Sequence, residues 1–263
     1  MYRIVIIICF AWILCGCTRE MLFEDESLQT EEEIVMYQDG PFSFAYILRL
    51  PSPESENSRS IIDVLNGTRK AVELSYNQYQ SLILMADEGL FNKSPILRKL
   101  GNQLAQKRDY PVRLKYVIYP NLEEDFPGHD AIYDASSQTV LLKTGEDVFS
   151  DRIILHEFLH VVQCELAGIK MTDKNEAHME FEVMVLCDVI QTMIRRKLVA
   201  SIDSEAYKGL VGSLSEPGYV DPSVESRILS NFNKVYEIWA RENFISEPDN
   251  YYPGGLLYFL RMF

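Results

Sequence analysis

Ile153-Ile154-Leu155-His156-Glu157-Phe158-Leu159-His160-Val161-Val162-Gln163 is apolar at nearly every position that is not histidine, glutamate or glutamine. A helix greasy nearly all round is a buried one. At about 100° per residue, His156 and His160 sit roughly 40° apart and one turn along the axis. The His-Glu-x-x-His spacing therefore turns two imidazoles towards one ion, with Glu157 beside them as a base. Zinc is the expected ion, held at about 2.0–2.1 Å by each ring nitrogen. Buried polar groups without partners are costly, and one metal satisfies all three. The competing explanation is two core histidines bonded to backbone carbonyls.

Outward from this helix, expected over 152–166 with a stop at Gly168, the chain alternates short strands and helices. Ala131-Ile132-Tyr133 and Thr139-Val140-Leu141-Leu142-Lys143, joined over Asp134–Gln138, read as a β-hairpin. Pro111–Tyr119 alternates polar and apolar residues and reads as a strand. Pro95–Lys107 reads as a helix. Ser60–Glu88 shows helical spacing through Ile61, Ile62, Val64, Leu65, Val72, Leu74, Leu82, Ile83 and Met85, divided at Gly67. Downstream, helices are expected over Asn175–Leu198 and Ser223–Glu242. Tyr207–Pro222 looks turn-rich, and the aromatic tail Tyr251–Phe263 is expected to pack back on the core. The expected class is α+β: a small mixed or antiparallel sheet packed on the histidine helix, followed by a mainly helical C-terminal lobe.

The chain has 263 residues, enough for one sizeable domain. Its 25 basic against 39 acidic side chains give −14, which argues against a nucleic-acid partner. At the N-terminus, Arg3 precedes an apolar run, Ile4–Leu14, too short to span a bilayer. That run ends in Leu14-Cys15-Gly16-Cys17, which resembles the bacterial lipobox. The resemblance implies cleavage of a signal peptide over 1–16, acyl chains such as palmitate on Cys17, and a lipid-anchored place in the bacterial cell envelope, at the outer membrane or cell surface. Residues 17–57 read as an acidic tether, with Phe42–Leu48 inside it as a short strand or docking segment, and 58–263 as the folded domain. A plain signal peptide or membrane anchor is the alternative. Cys164 and Cys187 fall in helices and read as buried thiols or as an inter-helix bridge.

The histidine helix resembles the active-site helix of zincin metallopeptidases. That resemblance implies a zinc enzyme in which Glu157 activates a zinc-bound water to hydrolyse peptide bonds. It also places the 131–143 hairpin at the cleft rim, where extended peptides add as a further strand. A catalytic zinc takes three protein ligands. No third histidine follows at short spacing, and Asn175-Glu176-Ala177-His178-Met179-Glu180-Phe181-Glu182-Val183 resembles the gluzincin plan, in which a glutamate on the next helix completes the site. Glu176 and Glu180 share a helix face and Glu182 points elsewhere. Glu180, twenty residues after His160, is the expected ligand; with Glu176 as ligand, Glu180 would brace it. Gluzincins place a bracing aspartate four residues after the ligand. Met184 stands there in this chain, and Asp188 is the candidate substitute. Tyr251 and Tyr252 are candidate oxyanion donors.

The reading is thus a membrane-anchored zinc metallopeptidase acting on peptide or protein substrates. Its alternative is a non-catalytic surface-binding lipoprotein with a structural or vestigial zinc site. A third possibility keeps the zinc chemistry and changes the substrate to an amide of cell-wall material.

Overall fold

The structure, a computed structural model, describes residues 42–53, 60–107, 111–144, 149–172, 174–216, 222–243, 245 and 252–262. The signal and lipidation calls, including Cys17, lie outside these residues, as does Tyr251. The fold is α+β. Five strands, β1 (Ile61–Val64), β2 (Arg69–Glu73), β3 (Lys115–Ile118), β4 (Ala131–Asp134) and β5 (Thr139–Leu142), form one mixed sheet in the order β1-β2-β3-β5-β4. Only β3 and β5 run parallel; the other neighbours are antiparallel. Helices α1 (Tyr76–Ala86), α2 (Pro95–Ala105) and the short α3 (Leu122–Asp125) precede the histidine helix, α4 (Asp151–Glu165). After it come α5 (Glu176–Arg195), α6 (Glu205–Ser215), α7 (Pro222–Glu242) and α8 (Gly254–Leu260).

Two stretches differ from their sequence expectation. Residues 60–73 form a hairpin, not a helix, with Ile61 opposite Val72 and Val64 opposite Arg69. The cause is the turn: Leu65, Asn66 and Gly67 all take positive φ, at 51°, 57° and 79°. An Asn-Gly pair tolerates that region, and β-branched Ile61, Ile62 and Val64 suit the strand leading into it. Helix begins only at Ser75, whose side chain and that of Gln78 cap each other's backbone. Residues 205–215, expected as turns, form α6. Its Gly209 and Gly212 face open space, while Tyr207, Leu210, Val211 and Leu214 are buried. Packing of that apolar face overrides the poor propensity of two glycines.

The sheet separates two cores. Tyr116, Tyr133, Val140 and Leu142 face Ile154, Leu155, Phe158, Leu159, Val161 and Val162 of α4 in the main core. Val64, Ala71, Val117, Tyr119, Leu122 and Leu141 form a smaller one on the opposite face, as the period-two alternation of a strand requires. Residues 42–48, expected as a short strand or docking segment, dock on the main core. Phe44–Ile47 is a 3₁₀ turn, held by Asp87, which accepts from the Phe44 N–H at 2.7 Å and the Ser43 hydroxyl at 2.8 Å. Phe42 lies flat on Gly101, where any Cβ would sit 2.4 Å from the ring. Phe44 stacks on Phe91, which meets Phe158 edge to face, so the docked segment reaches the spacer of the His-Glu-x-x-His motif.

Candidate metal centre

Helix α4 starts at Ser150, whose hydroxyl caps the Ile153 N–H, and runs between the sheet and α5. Burial of its aliphatic face fixes its rotation, and that rotation turns His156 and His160 towards α5. The two Nε2 atoms are 3.1 Å apart. Glu180 reaches across from α5, with one oxygen 3.2 Å from His156 Nε2 and the other 3.1 Å from His160 Nε2. One ligand atom from each of these three residues lies within 4.8 Å of the other two. The sequence candidates are brought together in this combination. Glu176, one turn earlier, is not in the group, and Glu182 faces the other way.

Glu182 instead anchors a bracing chain. Its carboxylate, fully buried, accepts from the Leu256 N–H at 2.6 Å and from the side-chain amide of Gln163. A carboxylate only accepts, so the Gln163 NH₂ faces Glu182 and also reaches the Met179 carbonyl at 3.2 Å. The Gln163 oxygen then faces His160 Nδ1 at 2.9 Å and accepts a hydrogen bond from its N–H. That fixes the tautomer: His160 Nε2 is left with its lone pair aimed at Glu180 and His156. Gly255 is required here, since a Cβ would come within 2.7 Å of Gln163 and 2.9 Å of Glu182.

Asp188 does not brace a histidine. It accepts from the Ser201 N–H at 2.6 Å, the Ser201 hydroxyl at 2.9 Å and the Tyr207 hydroxyl at 2.7 Å, and so locks α5 to α6. His178 is buried and stacks on Tyr236, its ring centroid 3.5 Å away, away from the cluster. Tyr252 is 59% exposed and its hydroxyl bonds Glu225. Cys164 and Cys187 are free thiols.

The electrostatics favour positive charge between the imidazoles. Burial alone would raise the Glu180 carboxyl, but the two rings outweigh it and hold the group well below the usual carboxylate range. Burial likewise opposes a charged His160, yet Glu180, Gln163 and Glu182 together raise its pKa. Glu157 behaves differently. It is only 2% exposed, and burial pushes its carboxyl up to about 7, against a downward pull from His156 and a hydrogen bond from the Tyr133 backbone and with a further push from Glu180. Its Oε2 has no hydrogen-bond partner among the described residues.

Two nearby residues carried no motif that could mark them. Tyr116, on β3, buries its hydroxyl without a partner among the described residues, and burial together with the Glu157 charge raises its pKa. Arg152, one turn before His156, lines a pocket of about 170 Å³ with His156, Glu180, Met184, Cys187, Ser201 and Trp239. Met184, standing where an aspartate was expected, is thus a pocket wall. No family model, curated protein or solved structure matches the chain.

Proposed function

We propose that the protein is a zinc metallopeptidase of the zincin type, with His156, His160 and Glu180 as ligands and Glu157 as the general base. The observation that carries the reading is the convergence of His156 Nε2, His160 Nε2 and Glu180 from two helices. The donor set fits the ion: two neutral imidazoles and one carboxylate suit zinc, and three protein ligands leave a position open. The bracing of His160 through Gln163 to Glu182 is the outer-shell support that a ligating histidine needs.

Zinc in such a site supplies Lewis acidity towards a carbonyl oxygen and lowers the pKa of water. The chain's own work falls to Glu157. Its unpartnered Oε2 can take a proton from the attacking water and return it to the leaving amine, so the carboxyl ends as it began. Burial raises the pKa of this carboxyl, which makes it a better proton acceptor. The Tyr133 N–H and the surrounding core hold the carboxyl in place and keep bulk water out. Because β4 is an edge strand packed against α4, a peptide laid along the cleft has a sheet edge to follow. Anchoring through lipid on Cys17 belongs to the same proposal; among the described residues no helix is long and apolar enough to cross a membrane.

The test is zinc content and chelator-sensitive cleavage of unstructured peptides by the purified protein, with Glu157→Gln as the control. Stoichiometric zinc with loss of cleavage in Glu157→Gln supports the reading; full activity in that variant removes it. The binding-lipoprotein alternative draws on Tyr252, whose hydroxyl bonds Glu225 and is not turned to the metal centre. Zinc bound tightly with no peptide cut would establish it.

A further inference from the structure

We propose that the pocket beside the metal centre is a carboxylate-binding subsite, in which Arg152 receives an acidic group of the substrate next to the scissile bond. This rests on the peptidase reading above and adds a substrate class to it. Arg152 and His156 are four residues apart on α4, so both point to one face, and both line the same pocket as Glu180. Whatever fills that pocket touches the candidate metal centre.

Among the described residues the guanidinium is uncommitted. Several other basic groups of this acidic chain are paired, among them Arg69 with Asp125 and Lys107 with Glu165. Arg152 has no hydrogen bond or ion pair among the described residues. Two of the described acids close to the pocket are already engaged. Asp188 takes its bonds from Ser201 and Tyr207, and Glu180 turns both oxygens towards the imidazoles. The charge of Arg152 is nonetheless felt inside the wall, where it acts on Cys187 and Tyr207.

Size and lining define the occupant. At about 170 Å³ the pocket is well below the roughly 300–1,000 Å³ of a drug-sized ligand site, and suits one side chain or one chain end. Met184 and Trp239 supply an apolar wall, and Arg152 supplies the cation. An apolar stem ending in a carboxylate matches both, and arginine reads a carboxylate with two parallel N–H donors. A glutamate or aspartate side chain and a free C-terminus share this chemistry.

The experiment uses quenched fluorescent peptides on one alanine scaffold, with Glu or Gln at each position in turn and the C-terminus as acid or amide. Wild-type protein is expected to favour the carboxylate member by about ten- to a hundredfold in kcat/KM. Arg152→Ala is expected to erase that preference at unchanged zinc content, and Arg152→Lys to keep part of it. The Glu/Gln arm reports a side-chain acid and the acid/amide arm a chain end. Ratios near one in wild type, or ratios that Arg152→Ala leaves intact, overturn the proposal and mark Arg152 as a solvated surface arginine. Calorimetric binding of the same peptides to Glu157→Gln separates the two readings. An Arg152-dependent preference in binding, with no cleavage by wild type, keeps the subsite and removes the peptidase. Cleavage without preference does the reverse, and neither binding nor cleavage overturns both.

Discussion

Helix α5 is flanked by two seams that each bury a carboxylate, and they treat it in opposite ways. On the α6 side, Asp188 receives three hydrogen bonds, shared over both of its oxygens. On the α4 side, Glu157 is equally buried but leaves Oε2 without a partner among the described residues, where the charges of His156 and Glu180 act on it. An unsatisfied buried carboxylate lowers stability and survives only where something else depends on it. Satisfied burial builds the α5–α6 seam, whereas the α4 side, which also holds the satisfied Glu182, leaves one buried carboxylate oxygen without a partner among the described residues.

The contrast predicts separable losses. Glu157→Gln is expected to lower peptidase activity by about 10²–10⁴-fold, while thermal stability holds or rises because a buried charge disappears. Unfolding monitored by circular dichroism, alongside the activity assay, checks both halves. Asp188→Ala should do the opposite: a loss of about 3 kcal/mol or more in stability, since three donors are stranded, with zinc affinity in the surviving folded protein little changed. Should Asp188→Ala abolish zinc binding in protein that is still folded, the two seams are not independent. Between these lies the bracing chain. Gln163→Ala or Glu182→Gln is expected to weaken zinc binding by about 10–100-fold without removing a ligand, measured by competition with a chromophoric chelator. The smallest effect concerns thiols. Burial, with Glu165 close by, pushes the Cys164 thiol up to about 12, and burial raises Cys187. Both should resist maleimide at pH 8 in the native protein and react once it is unfolded.

Much of the α4–α5 seam was legible because its information is local. Helix periodicity placed His156, Glu157 and His160 on one side, and the same geometry turned Glu182 away from Glu180. What it did not contain was the partner of each buried group. That Gln163 and Glu182 serve His160 depends on α8 arriving at Gly255 and Leu256, some seventy residues later in the chain. Asp188 stood as a candidate to brace a histidine for the same reason: its partners, Ser201 and Tyr207, come only after α5 has ended, and Tyr207 opens the stretch that reads as turn-rich. At residues 60–73, Ile61, Val64 and Leu65 fit a helical spacing as well as a short strand. The positive-φ run from Leu65 to Gly67 decided between them.

The direct test of the central claim is the metal content of the protein, with X-ray absorption at the zinc edge, for wild type and for His156→Ala, His160→Ala and Glu180→Ala. One zinc per chain, with imidazole nitrogen and carboxylate oxygen in its shell and loss of the ion in each variant, is the expected result. Wild-type protein that holds no stoichiometric metal after zinc loading, or variants that bind it as well as wild type, would contradict the account.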